Sequence, residues 1–291
     1  MKTEHRRTLR RGLFLSISLL FLGIRSLLRF VQRLFRTKTP GTCIILYYHS
    51  IPSGCRQAFA RQLEILSDIG QPFNPASPPD RTLGGRYAAV TFDDAFEDAI
   101  ENAVPELVQR KIPAIFFVTP GFLGQSAAWW PSDHSERNRR IASAEQLRRL
   151  PPDLIEFGAH SVTHPRLSEL GESDARREIA ESRRSLKALL GREVETFSFP
   201  YGDFNEQLVG LCREAGYKRV FTSESREAFG NAADFVVGRV QAEPTDWEIE
   251  FRVKLLGGYL WWPWASAMKR KLLRDDRNGR LKPSFGVQAG N

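Results

Sequence analysis

The segment Phe157-Gly158-Ala159-His160-Ser161-Val162-Thr163-His164-Pro165 decides how this chain is read. An apolar run ends at Ala159, and two of the chain's five histidines follow it, four residues apart. Parallel α/β folds carry their functional groups at the C-terminal ends of strands. In a helical turn, positions i and i+4 lie on one side, where a single metal ion meets both imidazoles. Two satisfied surface histidines are the lesser alternative for the segment taken alone. Upstream, Val90-Thr91-Phe92-Asp93-Asp94 ends another apolar run in adjacent carboxylates. Two such groups repel unless a cation or a shared proton intervenes, although one of them capping a helix is the plainer alternative. Together, Asp94, His160 and His164 form a set of two imidazoles and one carboxylate. Three protein ligands leave positions for water and substrate, which is the pattern of a catalytic metal site. Zn suits these donors, and Co or Ni would also fit. A third run, Phe197-Ser198-Phe199, breaks at Pro200-Tyr201-Gly202, where exposed backbone N–H groups can bind an oxyanion.

Outward from these segments, short apolar runs alternate with amphipathic ones. Strands are expected over 43–48, 88–92, 114–118, 154–159, 196–199, 219–222 and 235–240. Helices are expected over 57–69, 97–110, 174–190 and 205–215. Ser173 reads as the N-cap of the third helix, and Gly191 stops it. This order implies an α/β fold with a mostly parallel sheet or barrel and helices outside. The long polar loop 125–141 carries Trp129 and Trp130, which either stack on sugars or cap the barrel. Cys43, Cys55 and Cys212 are too few and too scattered for a disulfide framework and read as free thiols.

The net charge of +8 divides unevenly along the chain. Residues 1–41 carry ten Lys/Arg against one acid, and residues 253–291 carry eight against two, whereas the body between them is net acidic. A nucleic-acid enzyme needs its positive charge beside its site, so this distribution argues against a nucleic-acid partner. Basic ends rich in Leu, Phe and Trp instead fit an anionic membrane surface. Gly12–Ile24 is a short apolar run, and extension to Leu28 with Arg25 snorkelling makes a marginal span. Beyond it, Arg25, Arg29, Arg33 and Arg36 recur at helical spacing, as in a helix lying in the interface. Span and in-plane helix both remain open, as does the side of the membrane. The expected organisation is a membrane anchor and linker over 1–41, a catalytic domain over 42–252, and a basic, aromatic, membrane-proximal segment over 253–291. In that last segment Trp261, Trp262 and Trp264 precede Lys269, Arg270, Lys271 and Arg274.

The sequence Thr91-Phe92-Asp93-Asp94, then His160-Ser161-Val162-Thr163-His164-Pro165, then Phe197-Ser198-Phe199-Pro200-Tyr201-Gly202 resembles the NodB-type polysaccharide deacetylases, carbohydrate esterase family 4. The resemblance covers roughly residues 42–245. It implies a distorted parallel (β/α) barrel, a Zn-type divalent metal, and hydrolysis of N-acetyl groups on an acetylated glycan or a lipid-linked amino sugar. Carried over, Asp94, His160 and His164 would hold the metal, and Asp93 would be the general base. The Tyr201 N–H would stabilise the oxyanion. Three positions depart from the family pattern. Ala95 stands where Gly is common, and Ser198 stands where many members have an Arg that orients the base. The late histidine that supplies the catalytic acid is missing. Arg239 is the candidate replacement for the Arg. His49, ending the first strand, is the candidate acid, as in the permuted poly-N-acetylglucosamine branch. His134 and His5 read as bystanders. The location this implies is a bacterial-type inner membrane, peripheral or single-pass. The rival function is an inactive NodB-like module that binds glycan or scaffolds a synthase.

Overall fold

Successive residues of the first strand face two different cores. In β1 (Thr42–Tyr48), Ile44, Leu46 and Tyr48 pack toward the helices, whereas Cys43 and Ile45 pack inside the ring of strands. The same period-2 division holds in β3 (Arg86–Phe92), where Ala88, Val90 and Phe92 face out and Tyr87 and Ala89 face in. Strands buried on both faces read as nearly continuous apolar runs, which is why the sequence announced them so clearly. The computed structural model describes residues 2–35, 41–81, 84–134, 136–230 and 233–263.

The remaining strands are β2 (Gln71–Pro72), β4 (Ala114–Val118), β5 (Ile155–Ala159), β6 (Thr196–Ser198), β7 (Arg219–Thr222), β8 (Val236–Gly238) and β9 (Val240–Gln241). Every pairing is parallel, in the order β8-β7-β6-β5-β4-β3-β1-β9, with β2 beside β3. The segment read as one strand over 235–240 is thus two. Its first half pairs with β7 and its second half with β1, and only Arg239 lies between them. The two ends of the hydrogen-bonded path are therefore neighbours in sequence. One residue forms the seam of a nearly closed eight-stranded (β/α) barrel.

The helices are α1 (Lys2–Phe35), α2 (Arg56–Ile69), α3 (Glu97–Arg110), α4 (Ala144–Arg148), α5 (Glu172–Leu190), α6 (Glu206–Glu214) and α7 (Glu248–Leu255). Helix α5 begins before the expected Ser173 cap. Gly171 is its N-cap, and Glu172 and Asp174 occupy the first turn, where negative charge complements the helix dipole. Gly191 ends it in the left-handed conformation, as expected. Neither α4 nor α7 was expected, although α4 carries a readable capping box between Ser143 and Gln146. The apolar run and the basic stretch after it are one continuous helix, α1. All three cysteines are free, and burial raises the Cys43 thiol to about 12. Residues 253–255 form the last turn of α7. Trp264 and the basic cluster from Lys269 to Arg274 lie outside the described residues, as does most of the 37–42 linker.

Gly158 shows how tightly the interior is filled. A Cβ there would stand 2.3 Å from the Phe117 ring and 2.7 Å from Thr196 Oγ1. Phe117 is fully buried, with Phe221 packed against it at 5.2 Å between ring centroids, and cannot swing away. Gly158→Ala is expected to destabilise the barrel by about 1–3 kcal/mol, the usual cost of overpacking. Urea unfolding would read this as a lower midpoint with an unchanged slope. An unchanged midpoint would mean that Phe117 has room to move.

Candidate active site

The C-terminal ends of β1, β3, β5 and β6, with the β8–β9 seam, converge on one buried cluster. The two adjacent carboxylates of β3 have separate surroundings. Asp93 continues the inward parity of Ala89 and Thr91 and meets Arg239. Arg239 Nη1 donates to Asp93 Oδ1 at 2.7 Å, and Nη2 donates to Oδ2 at 2.9 Å. The guanidinium is 1% exposed and spends its other protons on Thr91 Oγ1, Ser198 Oγ and the Thr222 carbonyl. Its plane lies near the rings of Tyr47 and Phe117, 4.8 and 5.1 Å from their centroids. Ser198, noted as a departure from the family pattern, is thus an acceptor for an arginine that arrives from the β8–β9 seam.

Asp94 faces the histidines. His160 Nε2 lies 3.7 Å and His164 Nε2 3.3 Å from Asp94 Oδ1. The His160 Nδ1–H donates to the Ser198 carbonyl at 2.7 Å, because a carbonyl can only accept. That bond fixes the tautomer and leaves Nε2 as a lone pair aimed at the carboxylate. Two acceptors held face to face in a buried place, with no proton between them, are the arrangement that a cation relieves. Asp94 Oδ1 and His164 Nδ1 are both buried without a hydrogen-bond partner among the described residues. The donor atoms of Asp94, His160 and His164 lie within 4.8 Å of one another. The buried triad fits a divalent metal.

The charges agree. Burial works against ionisation of Asp94, but the adjacent His164 imidazole, aided by His160 and His49, holds the carboxyl down at about 2. Burial likewise opposes charge on Asp93. The Arg239 guanidinium outweighs it, with His160 and His49 helping, and keeps Asp93 below the usual carboxylate range. Burial is the main cause that lowers His160, to about 4, so its imidazole is neutral near pH 7 and available as a ligand.

The histidine segment is a loop rather than a helical turn. Ser161 (φ 61°) and His164 (φ 59°) are left-handed, and two successive bends bring the rings together. Ser161 Oγ accepts from the His164 N–H at 3.0 Å. Glu178 of α5 holds the loop from outside: its Oε2 accepts from the Val162 and Thr163 N–H groups at 2.8 and 2.9 Å. Sequence reading missed Glu178. Its signal was a carboxylate at a buried position of an amphipathic helix. Tyr201 is also left-handed (φ 59°), and its ring lies against His164 at 4.7 Å. Pro200 is buried at the same bend.

Trp129 stacks on His164 at 4.6 Å between centroids, so that face supports the triad. Trp130 stacks on His134 at 4.1 Å and borders a cavity of about 310 Å³ that His49, Asp94, Arg139 and Thr245 also line. His134 therefore supports Trp130. The His5 side chain lies outside the described residues. His49 sits just past β1, half-buried, with its ring 5.7 Å from that of Tyr47.

The profile of the polysaccharide deacetylase family matches residues 80–220. A Bacillus subtilis protein named as a polysaccharide deacetylase, YxkH, is 24% identical over 220 residues, 72% of this chain and 74% of that one. The poly-β-1,6-N-acetyl-D-glucosamine N-deacetylase of Staphylococcus aureus is 26% identical over 166 residues, 53% of this chain and 54% of that enzyme. The chain thus spans about half the length of the staphylococcal relative. The structure of IcaB from Ammonifex degensii superposes with a TM-score of 0.61 at 26% identity, covering 74% of this chain and 97% of that one. By family profile, relatives and solved structure alike, this chain is similar to the polysaccharide deacetylases. The matched region holds Asp93, Asp94, both triad histidines and Tyr201, whereas His49 and Arg239 lie outside it.

The Arg239–Asp93 pair has a definite pH signature. Because Asp93 is held low in the fold, the pair's contribution to stability is present above the ordinary carboxylate value near 3.9 and is lost as pH falls through the lower folded value. Arg239→Met strands a buried carboxylate and is expected to cost about 3–5 kcal/mol, read by urea unfolding at pH 7. Adding Asp93→Asn should restore part of that loss. Equal stability of the single and double variants would dissolve the pair as a unit.

Proposed function

We propose that this deacetylase hydrolyses N-acetyl groups on amino sugars of a bacterial polysaccharide or lipid-linked glycan, with a divalent metal held by Asp94, His160 and His164. The single observation that carries the reading is a pair of buried acceptors with no proton between them, His160 Nε2 and Asp94 Oδ1, facing each other beside an arginine-pinned carboxylate. Zn is the proposed metal, with Co or Ni as substitutes. When bound, the metal supplies a polarised carbonyl and a water acidic enough to attack near neutral pH.

The chain's own residues do the rest. Asp93, ionised and locked by two hydrogen bonds from Arg239, accepts the proton of the attacking water. The Tyr201 N–H, presented by the left-handed bend, donates to the developing oxyanion. His49 protonates the leaving nitrogen, because an amide anion is too basic to depart unaided. The cavity shared by His49, Asp94 and Trp130 supports placing the leaving sugar there, against Trp130. The name of the staphylococcal relative supports a polymer of N-acetylglucosamine as substrate. A non-catalytic glycan scaffold has no use for a carboxylate kept ionised by a buried arginine. The apolar stretch Thr8–Gln32 of α1, long enough to cross a bilayer, and the basic chain ends support attachment to an anionic inner-membrane surface.

Acetate release from N-acetylglucosamine oligomers by metal-loaded protein tests the reading. Asp93→Asn should keep stoichiometric metal and lose about two to four orders of magnitude in turnover. His160→Ala should lose the metal itself, measured by elemental analysis. Metal retention and full rate in both variants would refute the assignment.

His49→Ala separates an acid from a packing residue. It should keep metal and fold and lose most activity on an N-acetyl sugar. Activity on nitrophenyl acetate, whose leaving group needs no proton, should fall far less. Equal losses on the two substrates would remove His49 from the acid role.

A further inference from the structure

Helix α1 is the large feature that the deacetylation chemistry does not use. One stripe of it is fastened to the barrel. Arg11 donates to Glu250 Oε2 at 2.5 Å and to the Thr245 carbonyl at 2.8 Å. Leu15 and Ser18 are buried, and Ser18 Oγ accepts from Trp261 Nε1 at 2.9 Å. Phe14 packs against Trp261 and Trp262. Arg25 and Arg29 both pair with Glu227, whose other oxygen is held by Arg81 at 2.6 Å. These positions recur at helical spacing along one face. The opposite face is apolar and bare: Leu13, Leu20, Leu27 and Leu34 are each more than 60% exposed.

The fastened stripe runs from Arg11 to Arg29, about 27 Å of helix at 1.5 Å per residue. That is nearly the whole hydrocarbon thickness of a bilayer, about 30 Å. Spanning in this pose would carry Glu250, Glu227 and Arg81 into the acyl layer, where charges are costly. Spanning after detachment would leave Arg25 without Glu227 inside the same layer. A helix lying in the interface keeps every pair and buries the bare face. Ten Lys/Arg against one acid in residues 1–41 then meet anionic headgroups. We infer that α1 is an in-plane membrane anchor clamped along the barrel, with an anionic lipid bilayer as the partner of its exposed face.

This deepens the membrane attachment proposed above and rests on it. It also orients the enzyme. A cavity of about 470 Å³ lies between α1 and the strand ends, walled by Arg10, Arg11 and Phe14 on one side and by Tyr47 and Gln241 on the other. It shares Glu243 and Thr245 with the cavity that holds His49 and Asp94. The catalytic mouth therefore opens beside the anchor, and the glycan is met at headgroup level.

The test adds the full chain, with a lysine-bearing N-terminal tag, to preformed phosphatidylglycerol–phosphatidylcholine vesicles. A membrane-impermeant amine reagent then labels the outside, and peptides are resolved by mass spectrometry. Co-sedimentation with labelling of both the tag and Lys218, an exposed barrel lysine, is the expected result. A protected tag with labelled Lys218 means a span; it overturns the in-plane anchor and leaves attachment standing. Absence of co-sedimentation at low salt overturns attachment and the inference together. A dimer in solution that ignores vesicles gives the bare face to a second copy and has the same consequence. Leu20→Glu and Leu27→Glu should each weaken vesicle binding more than about tenfold while leaving acetate release from soluble oligomers unchanged. Unaltered binding by both variants would show that this face does not touch lipid.

Discussion

A guanidinium and a carboxylate with almost no exposure to water face each other at the top of the barrel interior. Taking Arg239 and Asp93 out of water costs several kcal/mol per ion, and their attraction offsets this only with near-ideal geometry and every remaining proton satisfied. Both conditions hold: two parallel hydrogen bonds join the pair, and Thr91, Ser198 and Thr222 take the rest. Those partners come from β3, β6 and β7. The residue that bridges β8 and β9 thus ties distant parts of the ring to one charge. The seam and the position of the proposed base are a single constraint, because neither Arg239 nor Asp93 can shift without stranding the other.

A second constraint is stored in the backbone. Seven described non-glycine residues have a left-handed backbone, and five of them, Asp94, Ala95, Ser161, His164 and Tyr201, belong to the triad or lie beside it. Such conformations cost of order 1–3 kcal/mol each and persist where the surroundings over-determine them. Here the surroundings are visible: Ser161 Oγ and Glu178 hold the histidine loop, and Trp129 and Tyr201 press on His164 from two sides. Ala95 at φ 53° also explains why glycine is common at that place in the family.

Most of the scaffold was legible because its signals are local. Six expected strands and all four expected body helices exist, and the seventh expected strand is two, since apolar runs are written in consecutive residues. Asp94, His160 and His164 were legible as a set because Asp94 and His160 lie at the ends of apolar runs and His164 follows four residues on. What escaped depends on distance in sequence. Glu178 reaches its loop from fifteen to sixteen residues further along the chain, and only its place on the buried face of α5 marks it. Strand β2 has two residues, too few for any periodicity. The split at Arg239 is invisible in the run 235–240, because the change is one of partner, from β7 to β1. The two roles offered to Trp129 and Trp130 were separable only in three dimensions, where one indole supports His164 and the other faces the cavity.

The ring also bears on the missing late histidine. In an open sheet, strand position is tied to chain order, and a group lost from the last strand is lost from the site. In this barrel β1 lies between β9 and β3: Leu46 pairs with both Val240 and Val90. The Asp93 N–H donates to the Tyr48 carbonyl at 2.8 Å, so the residue after Tyr48 leaves the strand at the level of the carboxylates. That residue is His49, and it lines the cavity that Asp94 lines. A proton donor on β1 and one on a terminal strand are therefore one hydrogen-bonded neighbour apart, on the same rim. Ring closure makes the chain's beginning and end interchangeable as sources of that group, so the absence of histidine after His164 is no argument for a dead site.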